Sequence, residues 1–237
     1  MWETSKENED CARGEDDWRS VLKAAIKQLG GETIAIIENR DWRSDIKPPN
    51  SNLKVKDPRP DICVGVRAKA LEKALAPTKG NEASNLLSKL QDNAELISYP
   101  YPNPIGLKFP FLVAETKSGA TGGNLFQAQN QAAVGGSGAL RMFTSLSQYH
   151  ARVNKQANQC AQLLSIPVFS LTTEGPIIEL WVHFHEADGT RFNMTRLHVW
   201  CMTIKSDCLG ALIHISAILK WGSGELKDTI VNVLSPQ

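Results

Sequence analysis

Residues 109–119, FPFLVAETKSG, decide how this chain is read. The apolar run Phe109–Ala114 ends abruptly in Glu115-Thr116-Lys117. Side chains on a strand alternate faces, so Glu115 and Lys117 point one way and Thr116 the other. A carboxylate and an ammonium at the end of a core strand are costly unless they are paired or hold a ligand. A second acid has the same setting, because Asp61 opens the apolar run DICVGV directly after Arg59-Pro60. If those two strands lie side by side, Asp61, Glu115 and Lys117 meet.

Outward from these runs, the periodicities give an α/β plan with a mixed central β-sheet flanked by helices. Trp18, Val21, Leu22, Ala25, Ile26 and Leu29 recur at helical spacing and stop at Gly30-Gly31, which predicts an amphipathic helix from Asp16. A strand is expected over 33–38, then a polar, proline-containing loop, then the strand 61–66. Residues 67–98 read as amphipathic helix, and YPYPNP leads into the strand at Phe109. The Ala- and Gln-rich stretch 124–164 reads as one long helix. Gly135, Gly136 and Gly138 inside it predict a kink or a close approach to the sheet. Strands follow at 166–172, 177–186 and 192–204, with turns at 174–176 and Asp188-Gly189. Helices at 209–219 and 225–234 close the chain. No composition break divides residues 16–237, so they are expected to form a single domain.

The net charge of +1 over 237 residues hides an asymmetry. Residues 1–17 carry seven acids against Lys6 and Arg13, a net of −5, which leaves +6 for the rest. Residues 1–15 are therefore expected to be a flexible acidic arm in front of a mildly basic body. Such a body suits a polyanion held locally rather than a non-specific DNA coat. No uncharged apolar run approaches the ~18–20 residues a bilayer requires, and the acidic start lacks the order of a secretory signal. The expectation is an intracellular protein, cytoplasmic or nuclear, with no membrane partner. Five cysteines (Cys11, Cys63, Cys160, Cys201 and Cys208) without close pairs read as reduced thiols.

Two carboxylates beside a backbone carbonyl form a hard-oxygen site suited to Mg²⁺ or Mn²⁺. Such a cation acidifies a bound water and neutralises charge growing on a phosphate, and Lys117 would orient the water. Pro60-Asp61 followed by Glu115-Thr116-Lys117 resembles the PD-(D/E)XK nuclease superfamily, whose core runs helix, three strands, helix, strand. The stretch FPFLVAETKSGATGGNLFQAQNQAAVGG with the later LTTEGP is similar to uncharacterised fungal members of that fold. The resemblance covers the chain from about residue 15. It implies a metal-dependent phosphodiesterase acting on nucleic acid, DNA or RNA, with Asp61 and Glu115 as metal ligands. It also implies Gln127 near the scissile phosphate, with Gln131 on the same helix face, and a first-helix acid, Glu15 or Asp17, facing the site. The gap between Asp61 and Glu115 exceeds the family's usual hairpin and calls for an inserted helix. A second family on a repurposed nuclease fold, the fungal arginine-containing cyclodipeptide synthases, implies an alternative. There Glu115 and Lys117 would serve aminoacyl transfer from aminoacyl-tRNA, without metal or other cofactor. An inactive binding module is a third outcome.

Other residues carry less. His183 and His185 share a strand face but read as structural, and His150, His198 and His214 stand alone. The Gly119–Gly123 loop reads as a turn. The basic run Arg40, Arg43, Lys47, Lys54, Lys56 and Arg59 beside Trp42 is either a nucleic-acid contact or a solvated loop.

Overall fold

The computed structural model describes residues 1–46, 55–156, 165–186 and 191–235. Its centre is a six-stranded sheet in the order β1 (Ile34–Glu38), β2 (Ile62–Arg67), β3 (Leu107–Lys117), β4 (Val168–Glu174), β5 (Ile177–His185) and β6 (Phe192–Cys201). Every neighbouring pair is antiparallel except β3 and β4, which run parallel. Parallel neighbours need a crossover, and α5 (Leu125–Gln156) supplies it. The sheet is therefore mixed, as the sequence predicts.

Helix α2 (Glu15–Gly30) buries Trp18, Val21, Leu22, Ala25 and Ile26 of the expected stripe, while Leu29 at its end is exposed. It packs on one face of the sheet beside α6 (Lys205–Trp221), with Trp18 and Leu22 near Thr173 and Ile178. Helix α5 covers the opposite face, where Gly135 abuts Val113 and Gly136 abuts the His183 ring. The glycines of α5 thus serve close approach rather than a kink. Within the described residues the helix runs unbroken to Gln156, and residues 157–164 of the expected helix lie outside them.

Three other expectations are corrected. The stretch 67–98 is not one helix but α3 (Ala68–Lys79) and α4 (Leu86–Asp92). Gly80 at φ +53° ends the first and Ala94 at φ +56° follows the second, conformations that stop a right-handed helix. These two helices are the insertion between β2 and β3. The closing helices are nearly continuous, since a π-type turn (Gly222–Leu226) links α6 to α7 (Lys227–Leu234).

The third correction concerns the amino terminus. The expected loose arm is instead helix α1 (Trp2–Asp10), packed against α2. Trp2 anchors it: its Nε1 donates to the Thr203 carbonyl at 2.9 Å, and the Lys6 and Lys205 ammoniums lie over its ring. Ser5 and Asn8 are buried, while Glu3, Glu7, Glu9 and Asp10 stay exposed. One tryptophan docks a segment whose composition is otherwise that of a solvated arm. The turn at Asp188-Gly189 lies outside the described residues.

Candidate functional site

The register of β2 against β3 pairs Ile62 with Ala114. Asp61, one residue earlier, therefore stands beside Glu115, one residue later. Asp61 is 8% exposed and Glu115 3% exposed. The Thr116 amide donates to Asp61 Oδ2 at 2.7 Å and ties the mouth of β2 to the end of β3. The two acids that the sequence places 54 positions apart are neighbours on one sheet.

Burial dominates the electrostatics. It raises the Asp61 carboxyl above its ordinary value against the pull of the Thr116 amide, Lys117 and Arg19. Glu115 is pushed well above its ordinary value, by burial first and then by the negative charge of Asp61. Lys117 and the Asp61 backbone amide pull the other way without compensating. A buried carboxylate pair with too little positive charge is the setting in which a bound cation relieves the most repulsion.

Lys117 is turned toward α2. Its Nζ donates to Glu15 Oε1 at 2.8 Å and to the Thr116 carbonyl at 2.9 Å. Gly123 makes room for its stem, since a Cβ there would meet Lys117 Cδ at 2.9 Å. Arg19 NH1 stands 3.9 Å from Asp61 Oδ1, and Asp16 holds the same guanidinium at 2.6 Å. The first-helix acid facing the site is thus Glu15. The partnership of Arg19 was missed in the sequence, although Glu15 and Arg19 are four apart and share a helix face.

Gln127 makes its hydrogen bonds with Asn124. It is exposed, its Oε1 accepts from the Asn124 amide at 3.1 Å, and its own amide donates to Asn124 Oδ1 at 2.9 Å. This is the reciprocal capping arrangement of a helix start, and it engages Gln127 with Asn124 rather than with Asp61, Glu115 or Lys117. Gln131 is exposed as well. The glutamine that does reach the sheet is Gln129, whose Nε2 donates to Glu179 Oε2 at 2.8 Å.

Glu179 extends the polar row. Cross-strand pairing runs Glu115–Thr172–Glu179, so these side chains share one face with Asp61. Thr172 Oγ1, Trp181 Nε1 and Arg196 NH1 also donate to Glu179, at 3.0, 3.1 and 2.8 Å. Burial raises this carboxyl, but the hydrogen bonds outweigh it and hold it below its ordinary value. Two glutamates on one face are thus pushed in opposite directions, because Glu179 has four side-chain donors whereas Glu115 has a second acid beside it.

The remaining expectations sort quickly. His183 is fully buried, bonded to Ser170 Oγ at 2.7 Å and lowered by burial to about 4, so it is a neutral structural group. Cys63 is likewise buried, its thiol pushed up to about 12 by burial. Trp42 lies buried beneath Gly138 and offers no stacking surface. Arg43 pairs with Asp45 at 2.6 Å and Arg59 donates to the Asn39 carbonyl, while Lys47 and Lys54 lie outside the described residues. Ser118 caps the Gly119–Thr121 turn and donates to the Arg13 carbonyl at 2.9 Å, which seats the loop against the link that precedes α2.

Among the described residues, no group of three or more His, Cys, Asp or Glu side chains is disposed as a ready metal-ligand set, and no helix is long and apolar enough to cross a membrane. No curated protein and no solved structure matches the chain. Residues 23–234, which contain Asp61, Glu115 and Lys117, match a family described as a domain of unknown function, DUF7924, and the chain belongs to that family.

Proposed function

We propose that this protein is a metal-dependent phosphodiesterase of the PD-(D/E)XK type acting on nucleic acid. The observation that carries the reading is the buried pair Asp61–Glu115 on adjacent strands, with Lys117 one pleat further on. The order α2, β1, β2, β3, α5, β4 supports it, being the core order of that superfamily once α3 and α4 are set aside. The two carboxylates fit a hard divalent cation: both are oxygen donors, and burial disfavours both charges without one. Such a cation would supply charge neutralisation at the phosphate and a more acidic water. Asp61 and Glu115 would hold it, with Asp61 Oδ2 kept in place by the Thr116 amide. Lys117 would release Glu15 and bind the attacking water or a phosphate oxygen, so Glu15 acts as its resting partner.

A second reading has its own observation. Glu115, pushed toward its neutral form beside a lysine, suits proton transfer without metal. That favours an aminoacyl-tRNA-dependent synthase of the cyclodipeptide type. The test incubates the protein with labelled duplex DNA, single strands and aminoacyl-tRNA, with and without Mn²⁺. Cleavage that needs Mn²⁺ and falls at least about 100-fold in Lys117→Ala and Glu115→Gln fits the first reading. Consumption of aminoacyl-tRNA without cleavage and without Mn²⁺ promotes the second. Full turnover by Lys117→Ala removes the lysine from both.

A further inference from the structure

The sequence leaves His198 and His214 as isolated residues, but the fold puts them in contact. His198 is on β6 and His214 on α6, and their ring centroids are 4.3 Å apart, with planes tilted by 54°. Trp200 forms the floor, with its ring 5.1 Å from each and nearly parallel to that of His198, at 19°. Gly210 lets the helix close on this floor, because a Cβ there would meet Trp200 Nε1 at 2.9 Å.

His214 Nδ1 lies 2.8 Å from the Gly210 carbonyl one turn earlier. A carbonyl only accepts, so Nδ1 carries the proton and Nε2 keeps its lone pair. An imidazole oriented through its other nitrogen onto a carbonyl is the usual state of a metal-ligating histidine. Among the described residues, no hydrogen bond occupies His214 Nε2 or either ring nitrogen of His198. His198 is exposed and His214 half-buried, so solvent ions reach the pair.

Spacing decides what this pair suits. With metal–nitrogen bonds of ~2.0–2.1 Å, two imidazoles at right-angle corners of one ion put their centroids ~4.5 Å apart, against ~5.2 Å at the tetrahedral corners usual for Zn²⁺. The observed 4.3 Å is close to the right-angle value, the geometry of square or tetragonal Cu²⁺ and Ni²⁺ sites. Imidazole nitrogen is a borderline ligand, favoured by Cu²⁺, Ni²⁺ and Zn²⁺ and poorly suited to Mg²⁺.

We propose that His198 and His214 form a bis-imidazole site for a borderline divalent transition-metal ion at the seam of β6 and α6, with water filling the other positions. The site is separate in chemistry from the acidic pair and does not depend on the activity proposed above. Nitrogen ligands from a strand and a helix would cross-link the last strand to the helix that covers it. Protons compete for the same lone pairs, so binding weakens in acid.

The nearby indole provides a readout, because Cu²⁺ and Ni²⁺ quench tryptophan emission at contact distances. The full chain is titrated with CuCl₂ and NiCl₂ at pH 7.5 and followed by fluorescence, with ZnCl₂ binding followed by calorimetry. His198→Gln, His214→Gln and Glu115→Gln are compared with the parent. The expected result is saturable quenching with one ion per chain. Either histidine variant should weaken it by at least about 10–100-fold, the loss typical of disturbing a metal's ligand sphere. Glu115→Gln should leave it unchanged. His198 is exposed, so its variant retains the fold, and the melting temperature verifies this for both. Saturable quenching that survives both histidine changes overturns the site, as does loss of quenching in only one of the two variants or its absence at millimolar ion.

Discussion

Glu115 and Glu179 share a sheet face and are both nearly inaccessible, yet their surroundings drive their charges apart. Glu179 has four donors, whereas Glu115 has a second acid beside it. The sign of the pH effect follows. The folded chain keeps protons on Asp61 and Glu115 at pH values where the unfolded chain, with ordinary values of 3.8 and 4.5, has lost them. Without a cation, these two groups therefore cost stability as pH rises above that range. Glu115→Gln removes most of the cost. Its melting temperature should exceed the parent's by about 2–10 °C at pH 7, the equivalent of relieving about 1–3 kcal/mol. The gap should close toward pH 4. Mg²⁺ or Mn²⁺ should raise the melting temperature of the parent and not of the variant. A variant less stable than the parent at pH 7 would mean that Glu115 is ionised and well paired.

At the scale of elements, glycines set how close helices come to the sheet. A Cβ on Gly136 of α5 would run into the His183 ring, whereas one on Gly224 of the π-type turn would meet nothing within 4 Å. Alanine favours helix over glycine by about 0.8–1 kcal/mol. Overpacking a buried contact costs about 1–3 kcal/mol, which outweighs that gain at Gly136. Gly136→Ala should therefore lower stability in denaturant unfolding by about 1–2 kcal/mol. Gly224→Ala should be neutral or stabilising by up to about 1 kcal/mol. Equal effects at the two positions would contradict the approach of α5 to β5. The three-glycine cluster was legible in the sequence, but its partner was not, because His183 lies in a different part of the chain.

For the whole molecule, the charge asymmetry matters through geometry. Helix α1 is docked on the body that carries the +6 balance, so its exposed acids are held near that surface. Truncation would remove a packed helix, so amides at Glu3, Glu7, Glu9 and Asp10 isolate the charge effect. In that variant, affinity for tRNA and duplex DNA should rise at low salt. The log–log salt slope should lie near −0.7 to −0.9 per phosphate contacted in both proteins. Filter binding across a salt series measures this. No binding by either protein at low salt would sink both nucleic-acid readings.

What the sequence determined by itself was local. Periodicity placed α2, β2, β3 and the start of α5, because burial on one face leaves a repeating trace. The Asp61 and Glu115-Lys117 pattern was legible too, because charged side chains at the ends of apolar strands stand out by cost. Only the tertiary structure decided which groups meet. Strand register put Asp61 beside Glu115 and joined Thr172 to Glu179. Helix α2 brought Glu15 to Lys117 across 102 positions, a capping box engaged Gln127 with Asn124, and the seam of β6 and α6 joined His198 to His214. These pairings depend on how layers stack, and no short-range pattern in a single chain records the distance between residues on different layers.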